Sequence, residues 1–309
     1  MTFVDSSLRP DGLALVCGML RLRVVLFAFF LVFVPSSFTS GFPKLSETRQ
    51  SPSDLEVGGD LAGLPPGSTR YIPREQLLAL PQVRYTVTND TNFTRPTRIE
   101  GVELADLIRL LGASAKSDLV VVICDDKYRA NYPRAYLAAH HPVLVLKVNG
   151  KPPSGWPKDS EEHKYEMGPY MVSQPKFLPS FKILSHPEEP QIPWGVVRLE
   201  FRDEKTVLGA IGPSGVHAND PDVQAGFGIA RQDCFRCHNA GSEGGQKSGI
   251  PWQTLSGTAL ASPENFISYI RNPLAQNPQA QMPGNKEYDE ATLNALVAYF
   301  RTFSAEGKP

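Results

Sequence analysis

Five consecutive residues towards the C-terminal end of the chain, Cys234-Phe235-Arg236-Cys237-His238, combine two thiols with an imidazole. Two cysteines separated by two residues and followed directly by a histidine are the attachment sequence of a c-type haem. Each thiol can form a thioether with one vinyl group of the same porphyrin, and the histidine can then ligate the iron. The pentapeptide therefore predicts one covalent haem c, bound by Cys234 and Cys237, with His238 as an axial ligand.

Two other uses of a Cys-x-x-Cys pair fit this chain less well. A structural zinc site needs a second ligand pair at finger-like spacing, but the other cysteines, Cys17 and Cys124, stand alone. A redox dithiol of the thioredoxin type belongs near a βαβ pattern, whereas this pair lies close to the C-terminus. A lone Cys124 at the end of an apolar run is typical of a small buried hydrophobic residue.

Composition narrows the functional classes further. The chain has 309 residues, of which 41% are hydrophobic and 20% charged, and this suits two globular domains. Its net charge of −1 gives no electrostatic basis for binding nucleic acid. The run Gly244–Ser248 is not a phosphate-binding P-loop, because no Gly-Lys pair precedes the serine.

Residues 1–40 indicate export. An unbroken apolar run from Val24 to Val34 follows Arg21 and Arg23 and precedes small polar residues. The run is short for a membrane-spanning helix, and the arrangement is that of a secretory signal peptide, with an uncleaved N-terminal anchor as the alternative. We therefore expect a periplasmic or otherwise exported protein, either free or held at the inner membrane. Covalent haem attachment in bacteria takes place in the same compartment.

A mixed α/β, mainly β domain is predicted over residues 71–204. The preceding residues 41–70, rich in proline, glycine and serine without a period, predict a linker. Helical spacing of Leu104, Leu107 and Leu111 predicts one helix. Short runs of strand composition predict at least five strands: Val83–Thr88, Leu119–Ile123, Val143–Val148, Phe181–Leu184 and Val196–Phe201.

The order and spacing of short motifs in this domain resemble the molybdopterin-binding fold of the sulfite oxidase group over residues 80–202. The motifs are Gly101-Val102-Glu103-Leu104, Asp125-Asp126-Lys127-Tyr128, Val148-Asn149-Gly150-Lys151-Pro152 and Gly168-Pro169-Tyr170-Met171. In that group a cysteine just after the strand that precedes the first motif ligates molybdenum, yet residues 86–95 contain no cysteine. Lys127 also stands where the group has glycine. The resemblance thus implies the fold, and the departures argue against a molybdenum cofactor.

The pair His140-His141 is another candidate metal site. Adjacent residues point in different directions on a helix or a strand, and no acidic or cysteine partner lies nearby in the sequence. We therefore expect a solvated or helix-capping role for both histidines.

The C-terminal part, residues 222–309, resembles a small class I cytochrome c, which implies an all-α domain. Residues 205–221, rich in glycine, predict the connector that precedes it. Gly226 stands where that family keeps a glycine so that its first helix can touch its last, which here is predicted over Glu290–Phe303. The family's aromatic residue before the first cysteine is replaced by Ala230, and Phe227 or Ile229 can fill the gap.

The same resemblance implies two more site residues. Gly249–Leu255 is similar to the family's Gly-Pro-x-Leu segment, in which the carbonyl of Pro251 would accept the second N–H of His238. Met282, in the loop Gln281-Met282-Pro283-Gly284, matches the distal methionine, and His217 is the runner-up for that position. His/Met ligation raises the reduction potential of a haem.

These features together predict an exported monohaem cytochrome that transfers one electron between redox partner proteins. Two alternatives stay open. One is a cytochrome-fused, molybdenum-dependent oxidoreductase of the sulfite dehydrogenase type. The other is an electron-transfer subunit that docks on a separate dehydrogenase.

Overall fold

The computed structural model of the chain describes residues 43–111, 113, 116–157 and 166–303. The segment for which a signal peptide or anchor is predicted, residues 1–40, lies outside them. In the part of the chain that is described, no helix is both long enough and apolar enough to cross a membrane. Residues 40–309 form one compact unit.

A large twisted sheet makes up the first half of this unit. Its strands are β1 Leu55–Gly59, β2 Arg70–Ile72, β3 Val83–Val87, β4 Thr97–Glu103, β5 Leu119–Cys124, β6 Arg129–Pro133, β7 Val143–Val148, β8 Tyr170–Ser173 and β11 Trp194–Arg202. They follow the order β2-β1-β11-β8-β7-β4-β3, and the hairpin β5-β6 joins the sheet through β11. Every pairing in it is antiparallel except that of β1 with β11. Two hairpins lie outside this sheet: β9 Lys182–Ile183 with β10 His186–Pro187, and β12 Asn239–Ala240 with β13 Glu243–Gly244.

Helices dominate the second half. The helices are α1 Arg74–Ala79, α2 Leu104–Leu110, α3 Arg134–His140, α4 Glu204–Gly209, α5 Pro221–Ala230, α6 Trp252–Ala261, α7 Pro263–Arg271, α8 Pro273–Gln276 and α9 Glu290–Arg301. The short helices α1 to α3 cover the sheet. Helices α5 to α9, which follow the last strand of the sheet in the sequence, pack on one another. The predicted order, a mainly β domain followed by a helical one, is confirmed.

The strand β5 belongs to two hydrophobic cores at once. Side chains alternate between the faces of a strand, so Val120 and Val122 point into the core under α1 to α3, while Leu119 and Val121 point into the core of the helical half. This double burial explains why the whole strand is apolar. Because β5 contributes side chains to the core of the helical half, the two halves are joined by hydrophobic packing and not only by a linker.

Two predicted linkers are wrong in part. Residues 55–59, inside the predicted linker 41–70, form β1, whose Leu55 and Val57 are fully buried. In the predicted connector 205–221, Val207 and Ile211 are buried in the core of the helical half. Both segments are too short, and too rich in glycine and proline, for periodicity to reveal the buried residues.

The predicted strands are otherwise confirmed with small changes of boundary, except for Phe181–Leu184. That segment contributes only two residues, Lys182–Ile183, to the hairpin β9-β10, which lies outside the main sheet. The hairpin contacts the helical half: a Cβ on Gly228 of α5 would lie 2.5 Å from Ile183. Ser185 at its tip donates its backbone N–H to Thr292 of α9 at 3.0 Å.

The first and last helices of the helical half, α5 and α9, cross at Gly226. A Cβ on Gly226 would meet the carbonyl oxygen of Ala295 and the side chain of Tyr299. The expected role of this glycine is confirmed. Of the two residues expected to fill the place of the missing aromatic residue, Phe227 has its ring 5.7 Å from that of Tyr299, and Ile229 is fully buried in the core of the helical half.

Candidate haem-attachment site

The Cys-x-x-Cys-His sequence folds as a tight turn directly after α5. Residues 234–236 form one 3₁₀ turn, and the backbone N–H groups of Cys237 and His238 both donate to the carbonyl of Cys234, at 3.2 and 3.0 Å. Both thiols are free and half-buried. The turn therefore holds two unpaired thiols and one imidazole within five residues, the donor set that a covalent haem requires.

His238 is held in one orientation. Its Nδ1 donates to the carbonyl of Ile250 at 2.8 Å, and the side chain is buried. Because Nδ1 carries the proton, Nε2 of the neutral ring has a free lone pair, as a metal ligand needs. Burial lowers the pKa of His238 and so favours this neutral form.

The acceptor for His238 corrects the prediction, which assigned Pro251. The carbonyl of Pro251 instead accepts from the backbone N–H groups of Thr254 and Leu255, at 3.0 and 3.4 Å, as the first acceptor of α6. An N-cap carbonyl points along its helix, so it cannot face His238. The carbonyl one residue earlier, on Ile250, is left free to do so. Ser248 Oγ also lies 3.0 Å from the same Nδ1.

Two glycines after the motif let the chain fold back onto it. A Cβ on Gly245 would lie 1.7 Å from the carbonyl oxygen of Arg236, and one on Gly244 would lie 2.5 Å from that of His238. Gly245 also donates its N–H to the Phe235 carbonyl at 2.9 Å. No side chain fits at either position, because the backbone at and just after the short hairpin β12-β13 packs directly against the backbone of the motif.

Met282 lies in the segment that joins α8 to α9. It is half-buried and packs against the same hydrophobic core as Cys234. The segment is anchored beside it: Asn285 donates its N–H to Ile270 at 3.0 Å, at the end of α7. The runner-up, His217, is exposed between α4 and α5.

The first half of the chain contacts the motif through Arg236. This side chain is largely buried and bonds the carbonyl of Gln232 and, at 3.3 Å, the Glu189 carboxylate. Tyr128, from the Asp-x-Tyr turn, also faces the guanidinium, and burial raises the pKa of this tyrosine to about 12. Beside it Lys247 pairs with Asp126 at 2.6 Å.

Residues 86–95, the region in which the resemblance to the sulfite oxidase group would require a cysteine, contain a buried carboxylate, Asp90. Asp90 accepts from the Ser173 hydroxyl at 2.6 Å and from the Asn92 backbone N–H at 3.0 Å. Desolvation raises the pKa of Asp90. Cys124 is buried in the first hydrophobic core, and the same effect raises its pKa well above the usual value. A neutral buried thiol agrees with the prediction of a small hydrophobic residue.

The two adjacent histidines have different environments. His140 is buried, with Nδ1 at 3.0 Å from the Lys176 carbonyl and Nε2 at 2.9 Å from Glu188, so a solvated or capping role is wrong for it. Its carboxylate partner lies 48 residues away, beyond the reach of local sequence reasoning. His141 ends α3 in the left-handed conformation, and its capping role is confirmed.

Sequence reasoning missed a second polar group beside the motif. His186, at the tip of the β9-β10 hairpin, is fully buried against Gln232 and Tyr288. Tyr288 also bonds Asp233, the residue before Cys234. The only local sequence signal was an acidic residue next to the motif, since the other partners lie 46 to 102 residues apart.

Comparisons with known proteins agree with the helical half. Residues 221–300 match the model of the family described as cytochrome c oxidase, cbb3-type, subunit III. No curated protein matches the chain. Among solved structures, the sulfane dehydrogenase SoxCD from Paracoccus pantotrophus is similar at 15% identity and a TM-score of 0.34. That similarity covers 51% of this chain, and the chain spans 40% of that structure's length. The C-terminal part is thus a cytochrome c domain that follows a mainly β domain.

Proposed function

We propose that the protein is an exported monohaem cytochrome that passes single electrons between redox partner proteins. The observation that carries the proposal is the orientation of His238. Its Nδ1 is committed to the Ile250 carbonyl, and two free thiols lie on the turn that precedes it. Such an arrangement suits a covalently held haem with an imidazole ligand of fixed tautomer. When bound, the haem would supply a one-electron couple between ferric and ferrous iron.

We assign the protein residues as follows. Cys234 and Cys237 would form the thioethers, and His238 and Met282 would ligate the iron. Because both ligands would come from the protein, electron transfer would be favoured over oxygen chemistry. Ile250 holds the ring of His238 through its carbonyl.

The β-rich half has a structural role in this proposal. It buries Arg236 within the motif and shares the hydrophobic core through Leu119 and Val121. We infer that it fixes one side of the haem-attachment turn and presents the cytochrome domain to its partners. A molybdenum enzyme is the second candidate, because the short motifs resemble the sulfite oxidase group. The absence of a cysteine from residues 86–95 argues against it.

The full-length chain, exported in a bacterium with a haem-attachment system, tests the proposal. We expect one covalent haem per chain, no stoichiometric molybdenum, and a mature protein recovered outside the cytoplasm. The variant Cys234→Ser/Cys237→Ser should lose haem when denatured, whereas Cys124→Ser, a matched control in the other core, should keep it. Stoichiometric molybdenum in the wild type, or haem that survives denaturation in the double variant, would contradict the assignment.

A further inference from the structure

A chain of polar side chains runs from the buried hairpin tip to the haem-attachment turn. His186 Nε2 lies 2.7 Å from Gln232 Oε1, and His186 Nδ1 lies 2.7 Å from the Tyr288 hydroxyl. Tyr288 also makes a short hydrogen bond to Asp233 Oδ2. Asp233 is joined directly to Cys234. This chain of hydrogen-bonded side chains thus ends at Asp233, the residue directly before Cys234, for which a thioether is proposed.

The hydrogen bonds indicate how many protons the chain of side chains holds in this arrangement. Gln232 Oε1 accepts the backbone N–H of Glu189 at 3.1 Å, so this atom is an acceptor and His186 Nε2 must be the donor. Tyr288 has one proton and two close acceptor-type partners. If it donates to Asp233, His186 Nδ1 must carry a second proton; if it donates to His186, Asp233 must be protonated. Either arrangement holds one proton more than a neutral imidazole and an ionised carboxylate would.

The charges around the chain favour that extra proton. Arg236 lies 3.5 Å from Asp233 and 3.3 Å from Glu189, and supplies one positive charge against two carboxylates. The extra proton on the chain of side chains compensates the negative charge of the second carboxylate. Burial, reinforced by Asp233, raises the pKa of Glu189, and Glu287 is the next acidic group that faces it.

The same cluster is not a cation site. His186, Glu189 and Asp233 have ligand-type atoms within 4.8 Å of one another. Arg236, however, already lies against both carboxylates, and the imidazole nitrogens are committed to Gln232 and to Tyr288. A proton fits this geometry, whereas a divalent ion would have to displace the guanidinium.

We propose that the chain Asp233–Tyr288–His186 is a redox-linked proton site, an inference that rests on the haem function proposed above. With haem bound, uptake of one electron from a one-electron donor would be accompanied by binding of one proton from solvent to Asp233–Tyr288–His186, and loss of the electron would be accompanied by release of that proton. An added electron would bring negative charge to a group held by Cys234, the neighbour of Asp233, and in a partly buried setting such a charge favours a bound proton. Asp233, whose side chain is 17% exposed, provides the route to solvent for the fully buried His186.

The pH dependence of the reduction potential of the holoprotein tests this inference. In the wild type we expect the potential to fall as pH rises, by at most about 59 mV per pH unit for full one-proton coupling. His186→Gln keeps a hydrogen-bonding side chain but removes the ring, and should flatten that slope. His140→Gln is the matched control, because His140 is another buried histidine that is hydrogen-bonded through both ring nitrogens. Its partners, Lys176 and Glu188, do not belong to the Asp233–Tyr288–His186 chain of side chains.

Two more measurements keep the inference testable if His186→Gln folds poorly. Tyr288→Phe removes only the hydroxyl that links the chain, and should have the same effect. Protons taken up per electron, followed with a pH indicator in weak buffer, should be fewer in that variant than in the wild type. Equal slopes and equal proton uptake in wild type and both variants would overturn the inference, as would an equal loss in His140→Gln. A protein without a reversible haem couple would instead overturn the proposed function.

Discussion

Gly226 and Ala295 approach so closely that a Cβ on the glycine would lie 2.1 Å from the alanine carbonyl oxygen. The backbones of α5 and α9 are therefore in contact, with no room for a side chain. We expect Gly226→Ala to force the helices apart and to destabilise the protein by about 1–3 kcal/mol, the usual cost of overpacking. Urea unfolding of the holoprotein measures the change.

Gly257 is the matched control for that substitution. It lies inside α6, and a Cβ there would meet nothing within 4 Å. Gly257→Ala should raise the free energy of unfolding by up to about 1 kcal/mol, because alanine is the better helix former. If both variants change the free energy of unfolding in the same direction, the close packing of α5 against α9 is not the reason why position 226 requires glycine.

The crossing at Gly226 and the turn at Cys234 show what the sequence could predict. The resemblance to class I cytochromes c assigns the crossing to a glycine eight residues before the first cysteine, and the attachment sequence places an imidazole next to the second cysteine. The structure has the helix crossing at Gly226 and the turn at Cys234. The prediction for the acceptor of His238 is wrong by one residue, because Pro251 is the N-cap of α6 and its carbonyl accepts the first N–H groups of that helix. Spacing alone cannot show which of two adjacent carbonyls points inwards.

The hairpin β9-β10 shows what the sequence could not predict. His186 meets Tyr288 and Gln232 only because the hairpin, which reads as an ordinary strand, extends to the helical half. Contacts over such sequence distances leave no local pattern. The same holds for β1: four of its five residues pair with β11, which lies more than a hundred residues later in the sequence.

Alkylation of the cysteine thiols measures which of them form thioether bonds to the haem. Burial raises the pKa values of Cys124, Cys234 and Cys237, so few thiolates form in the folded apoprotein. Since the thiolate is the reacting species, we expect slow alkylation of all three until the chain is unfolded. In denatured holoprotein Cys124 should be alkylated, and Cys234 and Cys237 should not, as measured by peptide mass spectrometry. Labelling of all three in the holoprotein would exclude the thioethers.

Met282 gives a spectroscopic test of the distal ligand. Met282→Ala should abolish the sulfur-to-iron charge-transfer band and lower the reduction potential, because a thioether favours ferrous iron. Met171→Leu is the comparison, since Met171 is buried in a separate core of the β-rich half and its substitution should leave the spectrum unchanged. An unaltered band in Met282→Ala would assign the ligand to another residue.

Arg236 tests the contact between the motif and the β-rich half. Its removal leaves the carboxylates of Glu189 and Asp233 without their cation in a partly buried site. We expect Arg236→Ala to lower the free energy of unfolding by about 3 kcal/mol, at the low end for a broken buried pair because Glu189 is partly exposed. Arg109→Ala breaks an exposed pair with Asp106 on α2 and should cost at most about 1 kcal/mol.

Asp90 makes stability depend on pH in a defined direction. Desolvation raises its folded pKa above the ordinary value of 3.8, so its contribution is fully present below that value and is lost as pH rises through the folded pKa. Asp90→Asn keeps an acceptor for the Asn92 N–H but cannot ionise. The variant should therefore gain stability relative to the wild type as pH rises from acidic to mildly alkaline, in urea unfolding at the two ends of that range. A stability difference that stays constant with pH would mean that Asp90 is not the group whose ionisation is penalised.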